Sequence, residues 1–294
     1  MKLAFAENAE GRRDWVLIDP EADTARRVRA PFAQWAPHAA QGRMDALDLA
    51  PEVQRWSALR ALAPVDPGAR VFGVGLNYLT HLTRLGRKEA PPHTIAYIKP
   101  ASAIVDPDGE IQYPAVTAQL DYEVELVAVV AQPLGDAAQA SSCLLGYTIG
   151  NDISARDAGK QLGSLDLFTQ KALDRTAPVG PCIVTLDALG GPGQPELELS
   201  LHINGELRQS DNSRQMIFKL DELLNYLDAR IELRPGDLVF TGSTCGVGLE
   251  DGRFLQPGDN IEAAIAGIGV LRNTVGPRRM LSPARAVGRL GIAR

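Results

Sequence analysis

Cysteine is scarce in this chain. Cys143, Cys182 and Cys245 are the only three in 294 residues, and no two form a Cys-x-x-Cys pair. An odd, dispersed set fits three unpaired thiols in a reducing compartment rather than a disulfide framework. Long apolar runs are missing too. The longest, Leu126 to Ala131, is far short of the roughly 20 residues that span a bilayer. The opening MKLAFAENAEGRRDW lacks the apolar core of a signal peptide. Positive charge is not in excess either: 30 Lys and Arg against 36 Asp and Glu leave a net charge of -6. Nucleic acid as a main partner requires a basic face. There is no Gly-Lys-Ser or Gly-Lys-Thr phosphate loop and no Gly-x-Ser-x-Gly elbow. Gly73-x-Gly75 is followed by Tyr78, where a dinucleotide loop needs its third glycine. What is left is a cytoplasmic protein with neither nucleic acid nor membrane as partner.

The composition, 45% apolar and 22% charged, is that of an ordinary globular protein. KLAFAE, DWVLIDP and ARRVRA alternate like strands, with a turn near Asn8 to Gly11. Residues 31–63 are Ala-rich and read as helical, with breaks at Pro37 and Pro51. APVDPGAR (63–70) reads as a linker, which predicts a small N-terminal β+α domain over 1–65 and a larger domain over 66–294. Beyond the linker come many short strands: VFGVGL, AYIK, LDYEVELVAVV, LLGYTIGND, PCIVTLD, LELSLHI, DLVFTG and NIEAAIAG. Asn204-Gly205 between alternating runs signals a two-residue hairpin. Helices are expected near 137–143 and at 219–229, where Leu220, Leu223, Leu224 and Leu227 share a face. The class is α+β and β-rich.

LDYEVELVAVV is the most informative run. Alternate residues of a strand share a face, so Glu123 and Glu125 point the same way, with Asp121 on that side as well. Adjacent buried carboxylates repel and lose hydration. A shared cation removes both costs. Asp152, ending GYTIGND, is a third candidate ligand. An all-oxygen set suits Mg²⁺, Mn²⁺ or Ca²⁺. The alternative reading is a solvent-facing strand edge, where acidic residues are common.

Seven segments in fixed order carry a family resemblance: GVGLNYLTH (73–81), YIKPASAIV (97–105), LDYEVEL (120–126), GYTIGNDISARD (146–157), KALDRTAPVGP (171–181), LHINGELRQ (201–209) and LRPGDLVFTGSTCGVG (233–248). Together they resemble the fumarylacetoacetate hydrolase superfamily, in its bacterial form with a small N-terminal domain. The resemblance implies a mixed β-roll, a Mg²⁺ or Mn²⁺ ion, a homodimer, and C–C hydrolysis of an acylpyruvate or related 2,4-dioxo acid. It makes Glu123, Glu125 and Asp152 the metal ligands, His81 the general base, and Lys171 a residue facing the substrate's carboxylate or enolate. Arg156 and Ser243 become substrate contacts, and Asp121 becomes structural. The bland alternatives are a structural histidine, a surface lysine, an Arg156 paired with Asp157 or Asp174, and a simple turn at Ser243.

The sequence also departs from the family pattern. Three residues after the histidine, where a partner glutamate is expected, stands Arg84. Gly159 replaces a glutamine, Arg175 a threonine, and Ser243-Thr244 the Thr-Pro of the Gly-rich turn. The metal shell is intact and the substrate shell altered. Two alternatives therefore stay open: a metal-dependent 2-oxo acid decarboxylase or keto–enol isomerase, and a non-catalytic oxo-acid binding protein.

Overall fold

The computed structural model describes residues 1–158 and 166–280. The alternating first segments form β1 (Lys2–Glu7), β2 (Arg13–Asp19) and β3 (Thr24–Arg27). Helix α1 (Phe32–Ala40) then runs through Pro37 instead of breaking there. A proline inside a helix costs about 3 kcal/mol through its lost hydrogen bond. Burial of Phe32, Trp35, Ala36 and Ala39 opposes that cost, with the Trp15 ring 5.2 Å from Phe32 and 5.4 Å from Trp35. The rest of the Ala-rich stretch is not α-helical. It holds one-turn 3-10 helices at Met44–Ala46 and Trp56–Ala58, with β4 (Gln54–Arg55) and β5 (Arg60–Leu62).

The chain continues through β6 (Val71–Gly75), α2 (Leu79–Arg84), β7 (Ile95–Lys99), β8 (Ile104–Val105), β9 (Glu110–Tyr113) and β10 (Leu120–Asp121). Next come β11 (Val124–Val130), β12 (Leu144–Asn151), β13 (Ser154–Ala155), α3 (Leu167–Lys171) and β14 (Ala177–Thr185). The last elements are β15 (Glu198–Ile203), β16 (Glu206–Asn212), α4 (Leu220–Asp228), β17 (Leu238–Ser243), α5 (Gly248–Asp251), β18 (Asn260–Ile265) and β19 (Gly269–Arg278). A 12-stranded sheet runs β4-β3-β2-β1-β14-β12-β11-β17-β6-β7, with β5 on β1 and β8 on β14. A five-stranded sheet runs β16-β15-β18-β19-β9, and β10 pairs with β13. The first 65 residues and the larger part share the long sheet, joined where Lys2 and Leu3 pair with Val184 and Ile183.

β11 is buried at every residue. Leu126, Ala128 and Val130 pack with Leu199, Leu201 and Ala263 of the second sheet. Val127 and Val129 pack with Phe32 and Trp35 of α1 and with Phe240. A strand covered on both faces reads as a continuous apolar run, as β11 does from Leu126 to Val130. The expected leucine face of α4 is buried. The helix expected at 137–143 is only a 3-10 turn, Ala140–Cys143. Asn204 and Gly205 take φ of 51° and 82°, the two left-handed positions that a tight hairpin requires. Among the described residues no helix is long and apolar enough to cross a membrane.

Candidate active site

The run LDYEVELVAVV is not one unbroken strand. The ladder stops after Asp121 and resumes at Val124. In the gap the Glu123 N–H donates to Asn151 Oδ1 (2.9 Å), and the Val124 N–H donates to Gln209 Oε1 (2.9 Å). Asp152 N–H closes the turn onto the Glu123 carbonyl at 2.9 Å. These side-chain bonds swing Glu123 beside Glu125 and Asp152. One oxygen from each of the three lies within 4.8 Å of the others, and all three residues are buried. Ligands on opposite sides of a hard cation, with bonds of about 2.1–2.4 Å, are about 4.2–4.8 Å apart. The spacing and the all-oxygen chemistry therefore fit a divalent ion.

The charge balance points the same way. Lys171 Nζ donates to Asp152 Oδ2 (2.6 Å) and to Glu123, and Lys99 Nζ donates to Asp152 Oδ1 (2.6 Å). The Tyr97 hydroxyl also donates to Asp152, and Arg156 Nη2 to Glu123. Among the described residues Glu125 accepts only the Gly242 N–H, at 2.7 Å. Burial, then the neighbouring Asp152 and Glu123, push the Glu125 carboxyl well above its ordinary range. Burial opposes ionisation of Glu123 too, but Arg156 and Lys171 outweigh it and hold its carboxyl low. Burial likewise opposes the Lys171 ammonium, which Asp152 and Glu123 nevertheless hold charged to higher pH. Glu125 is thus the carboxylate whose charge the protein does not balance. A dication among these three oxygens would balance it.

Backbone space makes this packing possible. A Cβ on Gly73 would lie 2.4 Å from the Tyr97 ring, so the glycine clears the path of that ring to Asp152. Tyr97 and Lys99 alternate on β7 and reach the same carboxylate. Gly242, at φ 98°, aims its N–H at Glu125 in a conformation that other residues adopt at a cost.

Asp121 stands apart from the three carboxylates. It accepts from the N–H groups of Gly248 (2.6 Å) and Leu249 (3.0 Å) and from Arg156 Nε (2.7 Å). It holds Arg156 against the site and anchors the start of α5. Arg156 is therefore paired with Asp121 and Glu123, not with Asp157 or Asp174.

His81, on α2, is 5% exposed. Its Nδ1 lies 2.8 Å from Glu250 Oε1 on α5, and the other oxygen of Glu250 accepts the Gly246 N–H at 2.8 Å. A carboxylate only accepts, so Nδ1 carries a proton, and in the neutral imidazole the lone pair is then on Nε2. Arg84, in the place of the expected glutamate, is exposed and takes no part. The histidine's carboxylate partner comes instead from the far side of the chain.

A cavity of about 260 Å³ brings five of the expected residues together, His81, Glu123, Arg156, Lys171 and Ser243, while Glu125 and Asp152 lie behind its lining. Leu76, Leu85, Ile95, Leu167 and Leu249 supply an apolar part of the lining, on which Arg87 and Gln170 also lie. Ser243 Oγ donates to the Val124 carbonyl (3.0 Å) and accepts from Gln209 Nε2 (3.1 Å), so only a lone pair is free for a ligand. A wider groove of about 710 Å³ between Arg60 and Arg175 has neither a histidine nor a lysine on its lining among the described residues. Arg175 faces that groove and bonds the Glu110 carbonyl at 3.0 Å. Gly159 lies outside the described residues.

Sequence reasoning missed Glu250, Lys99, Tyr97 and Gln209. YIKP does place an alternating tyrosine and lysine in a strand, which hints at a shared target. No spacing connects Glu250 or Gln209 to the site.

Residues 70–276 match the family described as Fumarylacetoacetate (FAA) hydrolase C-terminal. The mitochondrial oxaloacetate tautomerase FAHD2B of Bos taurus is 35% identical over 223 residues, covering 74% of this chain and 70% of that protein. Among solved structures, 5-carboxymethyl-2-hydroxymuconate delta-isomerase from Mycobacterium smegmatis superposes with a TM-score of 0.76 at 30% identity, covering 95% of this chain and all (100%) of that one. Fumarylpyruvate hydrolase from Pseudomonas aeruginosa, in complex with Mn²⁺ and pyruvate, superposes with a TM-score of 0.61 at 33% identity, over 74% of this chain and 91% of that one. With its β-rich fold, its three clustered carboxylates and a family match over more than half its length, the chain belongs to the fumarylacetoacetate hydrolase family.

Proposed function

We propose that this protein is a divalent-metal-dependent hydrolase that cleaves the C–C bond of an acylpyruvate or similar 2,4-dioxo acid. One observation carries the reading: His81, with Nδ1 bonded to Glu250, lines the same cavity as Glu123, Lys171 and Arg156. Glu123, Glu125 and Asp152 would hold Mg²⁺ or Mn²⁺. When bound there, such an ion supplies Lewis-acid polarisation of substrate oxygens. Lys171 and Arg156 orient the pyruvyl carboxylate. His81 Nε2 takes a proton from water, and the water oxygen bonds to the distal carbonyl carbon. The bond from that carbon to the methylene then breaks. Its electron pair goes to the pyruvyl part as an enolate, which Lys171 stabilises by charge. The imidazolium returns its proton to the enolate carbon, giving pyruvate and a carboxylic acid. The homodimer implied by the family belongs to this proposal.

A second reading is keto–enol tautomerisation or isomerisation, supported by the names of the bovine and M. smegmatis relatives. The same His81 would move a proton between carbon and oxygen without activating water. The apolar wall favours the first reading, since it suits an acyl arm better than a second carboxylate. The deciding experiment assays acetylpyruvate cleavage, oxaloacetate tautomerisation and oxaloacetate decarboxylation on one preparation with Mn²⁺ and with EDTA. Pyruvate and acetate released in equal amounts from acetylpyruvate, with loss in EDTA, supports the hydrolase. Tautomerisation without any cleavage overturns it in favour of the second reading.

A further inference from the structure

His81 and Glu250 sit on very short helices, α2 of six residues and α5 of four. Helices this short are not held by their own hydrogen bonds. The turn that leads from Ser243 to α5 contains Gly246 and no proline. The distance between His81 and Glu250 therefore depends on outside ties.

One residue supplies a tie to both sides. Asp211 Oδ2 accepts a hydrogen bond from Thr80 Oγ1, beside His81, and another from Thr244 Oγ1, beside Ser243. The two hydroxyls lie 3.2 Å apart. The other Asp211 oxygen accepts the Asn212 N–H at 2.8 Å, which fixes the carboxylate plane. Asp211 belongs to the second sheet. Two residues before it on β16, Gln209 bonds Val124 N–H, Ser243 Oγ and the Thr244 carbonyl. Alternate residues of a strand share a face, so β16 presents a continuous support beneath the site.

We infer that Asp211 is a positioning residue: it clips α2 to the Gly-rich turn and so keeps His81 within bonding distance of Glu250. This rests on the reading of His81 and Glu250 as the proton-handling pair.

The test uses Asp211→Ala and Asp211→Asn in the full-length protein, with His81→Ala and Glu250→Ala as references. Asparagine keeps an oxygen that accepts from both threonines; alanine does not. The structural readout is the downfield proton resonance of His81 Nδ1–H, assigned by its disappearance in His81→Ala. It should persist in Asp211→Asn and vanish in Asp211→Ala. With acetylpyruvate, Asp211→Ala should lower kcat at least tenfold with KM within about twofold, and Asp211→Asn should restore kcat to within threefold. In the Glu250→Ala background Asp211→Ala should add less than a twofold loss, because residues acting through one another are non-additive. An unchanged resonance in Asp211→Ala, or a full tenfold loss retained in the Glu250→Ala background, overturns the clip. If Asp211→Ala does not fold, Thr80→Val and Thr244→Val each remove one arm and take its place in both measurements. Loss of the resonance in either then supports the clip, and an unchanged resonance in both overturns it. Wild-type protein that fails to cleave acetylpyruvate refutes the hydrolase reading but leaves the resonance test of the clip intact.

Discussion

His81 and Glu250 are separated by 169 positions in sequence and by 2.8 Å between Nδ1 and Oε1. The carboxylate fixes the imidazole tautomer and stabilises positive charge as a proton arrives at Nε2. Replacing His81 with alanine should lower kcat on the true substrate by about 10²–10⁴, the usual range for general acid–base catalysis. Glu250→Gln keeps an acceptor oxygen but loses the charge, so its loss should be smaller. Steady-state kinetics of the two variants side by side gives the order; an equal or larger loss in Glu250→Gln contradicts it.

Glu125 is the unbalanced carboxylate of the cluster. Glu125→Gln should therefore leave the metal-free protein at least as heat-stable as wild type while abolishing the rise in Tm produced by Mn²⁺. In wild type, Mn²⁺ at a hundred times its dissociation constant should contribute about 2.7 kcal/mol, a few degrees or more in Tm. Thermal melts with Mn²⁺ and with EDTA decide it, and a retained metal-dependent rise in Glu125→Gln rejects this residue as a ligand.

The wall of Leu76, Leu85, Ile95, Leu167 and Leu249 should reward apolar length. A buried methylene is worth about 0.8 kcal/mol, roughly fourfold in kcat/KM. Straight-chain acylpyruvates longer than acetylpyruvate should gain by that factor per carbon until the cavity is filled. A flat chain-length series would dismiss the wall as an acyl site.

Burial pushes the Cys182 thiol up to about 11 from an ordinary value of 9.0. Folding thus keeps this proton on. The stability it contributes is complete below about pH 9 and is lost as pH rises through 11. Cys143 is also buried, whereas Cys245 is partly exposed. Iodoacetamide at pH 8 should label Cys245 alone in the folded protein and all three thiols in urea, as mass spectrometry would report. Rapid labelling of native Cys182 would contradict its burial.

The three carboxylates are legible in the sequence because burial and charge conflict openly in LDYEVEL: acidic residues interrupt a run that both sheet faces otherwise claim. The break between Asp121 and Val124 is not legible, since it depends on Asn151 and Gln209, whose amides replace ladder partners from distant strands. Asp121 and Glu123 look equivalent in a strand pattern, yet one anchors α5 and the other turns toward Asp152. Arg84 misleads because a local spacing rule assumes that a histidine's partner lies on its own helix. Here the last residue of α2, Arg84, is exposed, and the partner arrives through tertiary packing. Pro37 misleads in the same way: a local helix breaker is outweighed by the buried Trp15, Phe32 and Trp35 rings.

Lys171 has a wider consequence. Its ammonium already binds an oxygen of Glu123 and one of Asp152, two of the three carboxylates that a dication would share, so an incoming ion would meet an internal rival, and its measured affinity would be a difference between two ways of satisfying the same carboxylates. The lysine set loose by that exchange is also a natural counter-charge for an anionic guest. Occupancy by ion and by guest should then reinforce each other, and by reciprocity to the same degree in both directions.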